Sequence, residues 1–187
     1  MSILRCPWAA ANPAELAYHD GEWGRPLHDD RALFEMLILE GMQAGVSWSI
    51  ILNKRPAFRA AFDQFDPPLV AAYGPEKIEA LMANPAILRN RAKLSCAVTN
   101  AQAFLKLQAE FGSFDSYLWS WVDGKPIVNR PQSMSEVPPF TPLSQALSAD
   151  LKKRGFKFVG PTIVYSFLQA VGVVNDHMAW CAYHDLP

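Results

Sequence analysis

Near the end of the chain His177 and Cys181 stand four residues apart, and near its beginning Cys6 and His19 form a second such pair. If the stretch 177–181 is helical, that spacing puts both side chains on one face, where they can converge on one ion. Two cysteines and two histidines complete a tetrahedral zinc set and leave no position open for water. The chemistry of such a site is structural: one zinc per chain would clasp the amino end to the carboxyl end, where small proteins fray. The third cysteine, Cys96, lies far from both pairs, and an odd, widely spaced set makes no disulfide framework.

Glu40 is the second residue that asks for an explanation. Leu33, Met36, Leu37 and Glu40 share one helical face at the i, i+3/i+4, i+7 spacing, so Glu40 occupies a place where the pattern calls for another apolar residue. A carboxylate there is either partnered, functional, or turned out to solvent at the helix end. Trp8, Tyr18 and Trp48 each lie beside a glycine, a metal-ligand candidate or Glu40. They are either core residues or the walls of a pocket. Aromatics grouped with one carboxylate suit a flat, cationic, hydrogen-bond-donating ligand such as an alkylated purine. Basic residues gather in two places, around Arg89, Arg91 and Lys93 and along Lys152-Lys153-Arg154-Gly155-Phe156-Lys157-Phe158. Cations at helix ends favour the helix dipole, and the same clusters would make a footprint for a duplex backbone.

The elements that must hold these groups are helical. A helix capped by Asp29 or Asp30 runs to Glu40 and stops at Gly41, and Gly45 permits a sharp turn before Trp48. Ser47 caps a helix to about Asn53, and Pro56 opens another to about Gln64. A short helix follows Asp66-Pro67-Pro68. The segment 76–105 reads as helix, short hairpin, helix, with the second helix running from about Asn90 to Phe111. An aromatic helix, Phe114 to Val122, precedes a Pro- and Ser-rich loop from Lys125 to Phe140. Helices opened by Thr141-Pro142 and Gly160-Pro161 close the pattern. No segment alternates as a strand does, so the fold class predicted is all-α.

With 187 residues, half of them hydrophobic, the chain can bury a sizeable core as one domain or two small lobes. A net charge of −1 neither announces nor excludes nucleic acid. There is no basic-then-apolar leader, and the longest apolar run, Ile163 to Val174, is too short to span a bilayer. A cytoplasmic, membrane-free protein is expected.

Six stretches carry a resemblance to the type I 3-methyladenine DNA glycosylases: Arg5-Cys6-Pro7-Trp8, Ala17 to Gly24, Leu39 to Trp48, Ile87 to Lys93, Lys153 to Gly160, and Val174 to His177. They occur in order and cover the whole chain. The resemblance implies a helix-hairpin-helix glycosylase with a structural zinc on Cys6, His19, His177 and Cys181. It implies a helix-hairpin-helix lobe over about 30–111 and a zinc-containing lobe from 1–29 plus 112–187. It places Glu40 in a base pocket with Trp8, Tyr18 and Trp48, and sends the loop Gln43-Ala44-Gly45-Val46 into alkylated double-stranded DNA beside the lesion. Arg89, Arg91, Lys93 and Lys153 become the backbone contacts. The implied activity is monofunctional hydrolysis of the glycosidic bond of 3-methyladenine, with no Schiff base, by a monomer with no protein partner. Three positions depart from the family pattern: Glu15 replaces a pocket tyrosine, Val46 a larger leucine wedge, and Ala86 a hairpin glycine. A zinc-clasped DNA-binding module without catalysis and a zinc hydrolase with an open coordination position are the rival readings.

Overall fold

The computed structural model describes residues 3–185, and helices dominate it. α1 (Pro13–Gly21) begins on Asn12, whose side chain accepts from the Ala14 and Glu15 N–H groups. α2 (Asp30–Gln43) begins on Asp29 in the same manner, through the Ala32 N–H. These side chains satisfy amide groups that the first helical turn leaves without partners. α3 (Trp48–Ala61) and α4 (Pro67–Ala71) follow. α5 (Pro75–Ala83) and α6 (Arg91–Phe111) are joined by residues 84–90, and Asn90 caps α6. α7 (Phe114–Ser120), α8 (Pro142–Lys153) and α9 (Pro161–Ala170) complete the helices. Thr141 and Ser144 close a reciprocal capping box at the start of α8.

α2 is the axis of the molecule. Residues 33–42 are all buried, and the helix packs against α3, α6, α7 and α9. A helix enclosed on every side should be apolar all round. α2 instead buries two acids. Glu35 is neutralised by Arg55 and Arg59 of α3, and Arg55 also reaches Glu22 at the end of α1. Glu40 has no such partner, and burial at the helix end replaces the solvent-facing alternative for it.

Four local expectations are corrected. α2 does not stop at Gly41 but continues to Gln43; the turn falls at Gly45, which takes φ +83°. Pro56 does not start a new helix, because α3 runs through it. Proline removes one backbone bond there, and buried Ile51 and Phe58 anchor the helix on either side of the defect. The stretch 177–181 is a succession of turns and not a helix. The loop after α7 contains β1 (Ile127–Val128), which pairs in parallel with β2 (Val174–Asn175), so the fold is mostly helical with one two-stranded exception among the described residues. The departure at Ala86 needs no strained backbone. Its φ is not positive, its N–H donates to Asn84 Oδ1 (2.9 Å), and Lys54 Nζ donates to its carbonyl (2.9 Å).

Candidate active site

A cavity of about 380 Å³ opens beside the last turn of α2. α2 contributes Glu40 and Gln43, and α1 contributes Glu15 and Tyr18. Trp8 and Trp48 close in from the flanking segments. The rings are tilted against one another: Trp8 to Tyr18 is 6.3 Å between centroids at 53°, and Tyr18 to Trp48 is 5.4 Å at 61°. Trp8 and Trp48 are half-buried, which leaves ring surface facing the cavity. The four residues expected to form a base pocket are thus together.

Two polar atoms in this wall have no hydrogen-bond partner among the described residues, the Tyr18 hydroxyl and Glu40 Oε2. Glu40 is 4% exposed, and burial alone pushes its carboxyl from 4.5 up to about 8. The same burial raises the Tyr18 phenol well above its ordinary range, and the nearby Glu40 raises it further. A buried polar group without a partner is costly. Two such groups facing one aromatic cavity describe a surface completed by a ligand that bears hydrogen-bond donors.

Sequence reasoning assigned no role to several residues of the cavity. Trp23, Met134, Met178 and, from α9, Ser166 and Gln169 line it, as does Asp176. The buried Asp176 carboxylate accepts from Asn129 Nδ2 (2.7 Å), Gln169 Nε2 (2.6 Å) and the Tyr165 hydroxyl. Its position next to His177 in a run of polar residues after the apolar α9 was the available signal.

The residues expected to touch DNA fall into three groups. Gln43, Gly45 and Val46 form a tight turn closed by the Val46 N–H to the Gln43 carbonyl (2.7 Å); Gly45 is exposed and Val46 packs half-buried on the core. Arg89 and Lys153 are exposed and make no ion pair among the described residues. Arg91 and Lys93 are engaged. Arg91 forms a two-point pair with Glu79, and Lys93 Nζ donates to the carbonyls of Met42 (2.9 Å) and Ala44 (2.5 Å). Lys93 therefore terminates α2 and holds its following loop, with its ammonium pKa lowered by burial.

Behind the aromatic wall, the donor atoms of Cys6, His19 and Cys181 lie within 4.8 Å of one another, so this group can hold a metal ion. Cys181 Sγ stands 3.6 Å from His19 Nε2, which matches the roughly 3.6 Å edge of a zinc tetrahedron with bonds of about 2.3 and 2.0 Å. His19 presents this nitrogen because its Nδ1 bonds Asp20, which Arg5 holds in turn. His177 stands just beyond, its ring centroid 4.8 Å from that of His19. Its Nδ1 is 2.9 Å from Asn175 Oδ1, an acceptor, so the proton sits on Nδ1 and the lone pair on Nε2. That Nε2 is buried without a partner, so the residues fit a fourth ligand. Gly24 makes room for the ring: a Cβ there would stand 2.7 Å from His177 Cε1. Burial pushes the Cys6 thiol up to about 12 and the His177 imidazole down to about 3, as expected for donors enclosed without a cation.

The sequence family described as methyladenine glycosylase matches residues 8–184. DNA-3-methyladenine glycosylase 1 of Escherichia coli K12 is 49% identical over 177 residues, 95% of each chain. The DNA-3-methyladenine glycosylase of Haemophilus influenzae is 46% identical over 177 residues, 95% of this chain and 96% of that one. A crystal structure of a single-residue variant of 3-methyladenine DNA glycosylase I in complex with 3-methyladenine is 40% identical and superposes with a TM-score of 0.93, covering 96% of this chain and 97% of that one. With its cavity, its helical frame and its whole length in agreement, the chain belongs to the methyladenine glycosylase family.

Proposed function

We propose that the protein is a DNA-3-methyladenine glycosylase that starts base excision repair of alkylated double-stranded DNA. The observation that carries this is the pairing of Glu40 Oε2 and the Tyr18 hydroxyl, both buried and unpartnered, in one aromatic cavity. A glycosidic bond cannot be worked on inside a duplex, so the nucleotide must swing out into such a cavity. N3-methyladenine carries a positive charge, which favours stacking on Trp8, Tyr18 and Trp48 and places its amino edge where Glu40 accepts hydrogen bonds.

The charge also makes the base a good leaving group. As the C1′–N9 bond breaks, its electron pair moves onto the base, which departs neutral, and the sugar becomes an oxocarbenium ion. Water adds to C1′ and loses a proton. Glu40 first orients the base and then, still ionised, stabilises the sugar cation electrostatically. No lysine amine enters the reaction, so the strand stays intact.

Cys6, His19, His177 and Cys181 would hold one zinc, with Asp20 and Asn175 fixing the two imidazoles. That ion supplies a cross-link between the chain ends and has no open position for chemistry. Residues 30–111 form the helix-hairpin-helix lobe, and Arg89, Lys153 and the Gln43–Val46 loop meet the DNA. The test is incubation with methylated duplex and identification of the freed bases. Release of 3-methyladenine by the wild type, lost in folded Glu40→Ala, supports the reading; no base release overturns it.

A further inference from the structure

Phe158 is a surface aromatic held in a costly backbone conformation. Its φ is +53°, a region that bulky side chains avoid. Phe65 takes nearly the same φ, +55°, but is fully buried, and packing in the core offsets its strain. Phe158 is 36% exposed and gains no such compensation.

The segment is nonetheless pinned on both sides. Asn100, buried in α6, donates from Nδ2 to the Lys157 carbonyl (2.9 Å) and accepts the Lys157 N–H on Oδ1 (2.7 Å). The buried Ser148 hydroxyl donates to the Val159 carbonyl (2.6 Å). Strain that the surroundings over-determine marks a geometry that is used.

Its neighbours indicate the use. A Cβ on Gly41 of α2 would meet Phe158 Cβ at 3.5 Å, and Phe158 shares a crevice with Lys93, whose ammonium holds the loop after α2. Glu40 and Gln43 face the base cavity, whereas Gly41 faces Phe158. Phe158 therefore flanks the α2 end on the side away from the cavity. Lys152, Lys153 and Lys157 surround it, all exposed and without an ion pair among the described residues.

We propose that Phe158 stacks on duplex DNA beside the extruded nucleotide, as a second support working alongside the Gln43–Val46 loop. Extrusion leaves neighbouring bases without a stacking partner, and a fixed aromatic ring supplies one. The flanking lysines match the phosphates on either side. This inference rests on the glycosylase reading of the cavity.

The experiment compares wild type, Phe158→Gly and Phe158→Trp in single-turnover release of 3-methyladenine from a duplex and from the same strand unpaired. A 2-aminopurine next to the lesion reports unstacking. Glycine adopts φ +53° without strain, so Phe158→Gly is expected to keep or raise Tm. Its release from duplex should fall roughly ten- to a hundred-fold, the equivalent of one lost base–aromatic stack, with a smaller 2-aminopurine signal. Release from the single strand should stay near wild type, and Phe158→Trp should retain duplex activity. Undiminished duplex release by Phe158→Gly overturns the proposal alone, as does an equal loss on both substrates with a lowered Tm. A wild type that releases no base overturns the glycosylase reading and this inference with it.

Discussion

Glu40 enters the proposed reaction as a carboxylate, yet burial holds its pKa at about 8 in the empty cavity. The two facts fix a pH profile. At pH 7 only about one-tenth of the molecules have an ionised Glu40, and each unit of pH below the pKa costs a further factor of ten. Single-turnover release from a permanently cationic lesion, measured below saturation, reports the free enzyme. Its rate should climb with a log slope near one from pH 6, bend near pH 8, and level off about tenfold above its pH 7 value. Glu40→Gln should be slow and flat across the range. A rate that falls above pH 8 would mean that the protonated acid is the active form, and a flat wild-type profile would remove Glu40 from the chemistry. Stability should move the other way. With a folded pKa raised above 4.5, the native state holds a proton that the unfolded chain has lost, so stability falls as pH rises from 4.5 to 8. At pH 7 the deficit is up to about 3 kcal/mol, and Glu40→Gln should recover part of it as a higher Tm, a gain that vanishes below pH 4.5.

Metal analysis should find about one zinc per chain, and chelation or Cys181→Ala should lower both metal content and Tm; a metal-free protein of unchanged Tm would dismiss the clasp. Lys93→Met keeps the aliphatic stem and loses the bonds to Met42 and Ala44, which should cost about 1–2 kcal/mol of stability and reduce release from duplex more than from single strand. Equal release from both substrates would leave Lys93 without a part in positioning the loop. Arg89→Ala and Lys153→Ala should each flatten the salt dependence of DNA binding by about one unit of slope, and Arg91→Ala by less because Glu79 already holds it. Unchanged slopes for Arg89→Ala and Lys153→Ala would move the DNA path elsewhere.

What could be read from sequence was local and chemical. Glu40 stood out because one acid broke an apolar period, and Cys6, His19 and Cys181 because their types are scarce. Helix starts at Asn90, Ser113 and Thr141 announced themselves through short polar side chains that bond the next turn. The misread features depend on partners distant in sequence. Pro56 looks like a boundary until Ile51 and Phe58 are seen anchoring α3 around it. Arg91 and Lys93 look like free cations until Glu79 and the end of α2 are brought beside them. His177 reaches its place through turns, with no help from a helical repeat. Asp176 is one more acid in the sequence, and only the convergence of Asn129, Tyr165 and Gln169 distinguishes it.

The group of Cys6, His19 and Cys181 draws on both extremities of the chain, and the cavity leans on it through Trp8 and Tyr18. During synthesis, chain emerging from the ribosome folds from its amino end, while Cys181 is among the last residues to be made. The helices around α2 can therefore pack before the ends meet, but the aromatic wall cannot be locked until translation is almost complete. Competence to bind a damaged base is then acquired at release, so a nascent chain carries the fold before it carries the activity.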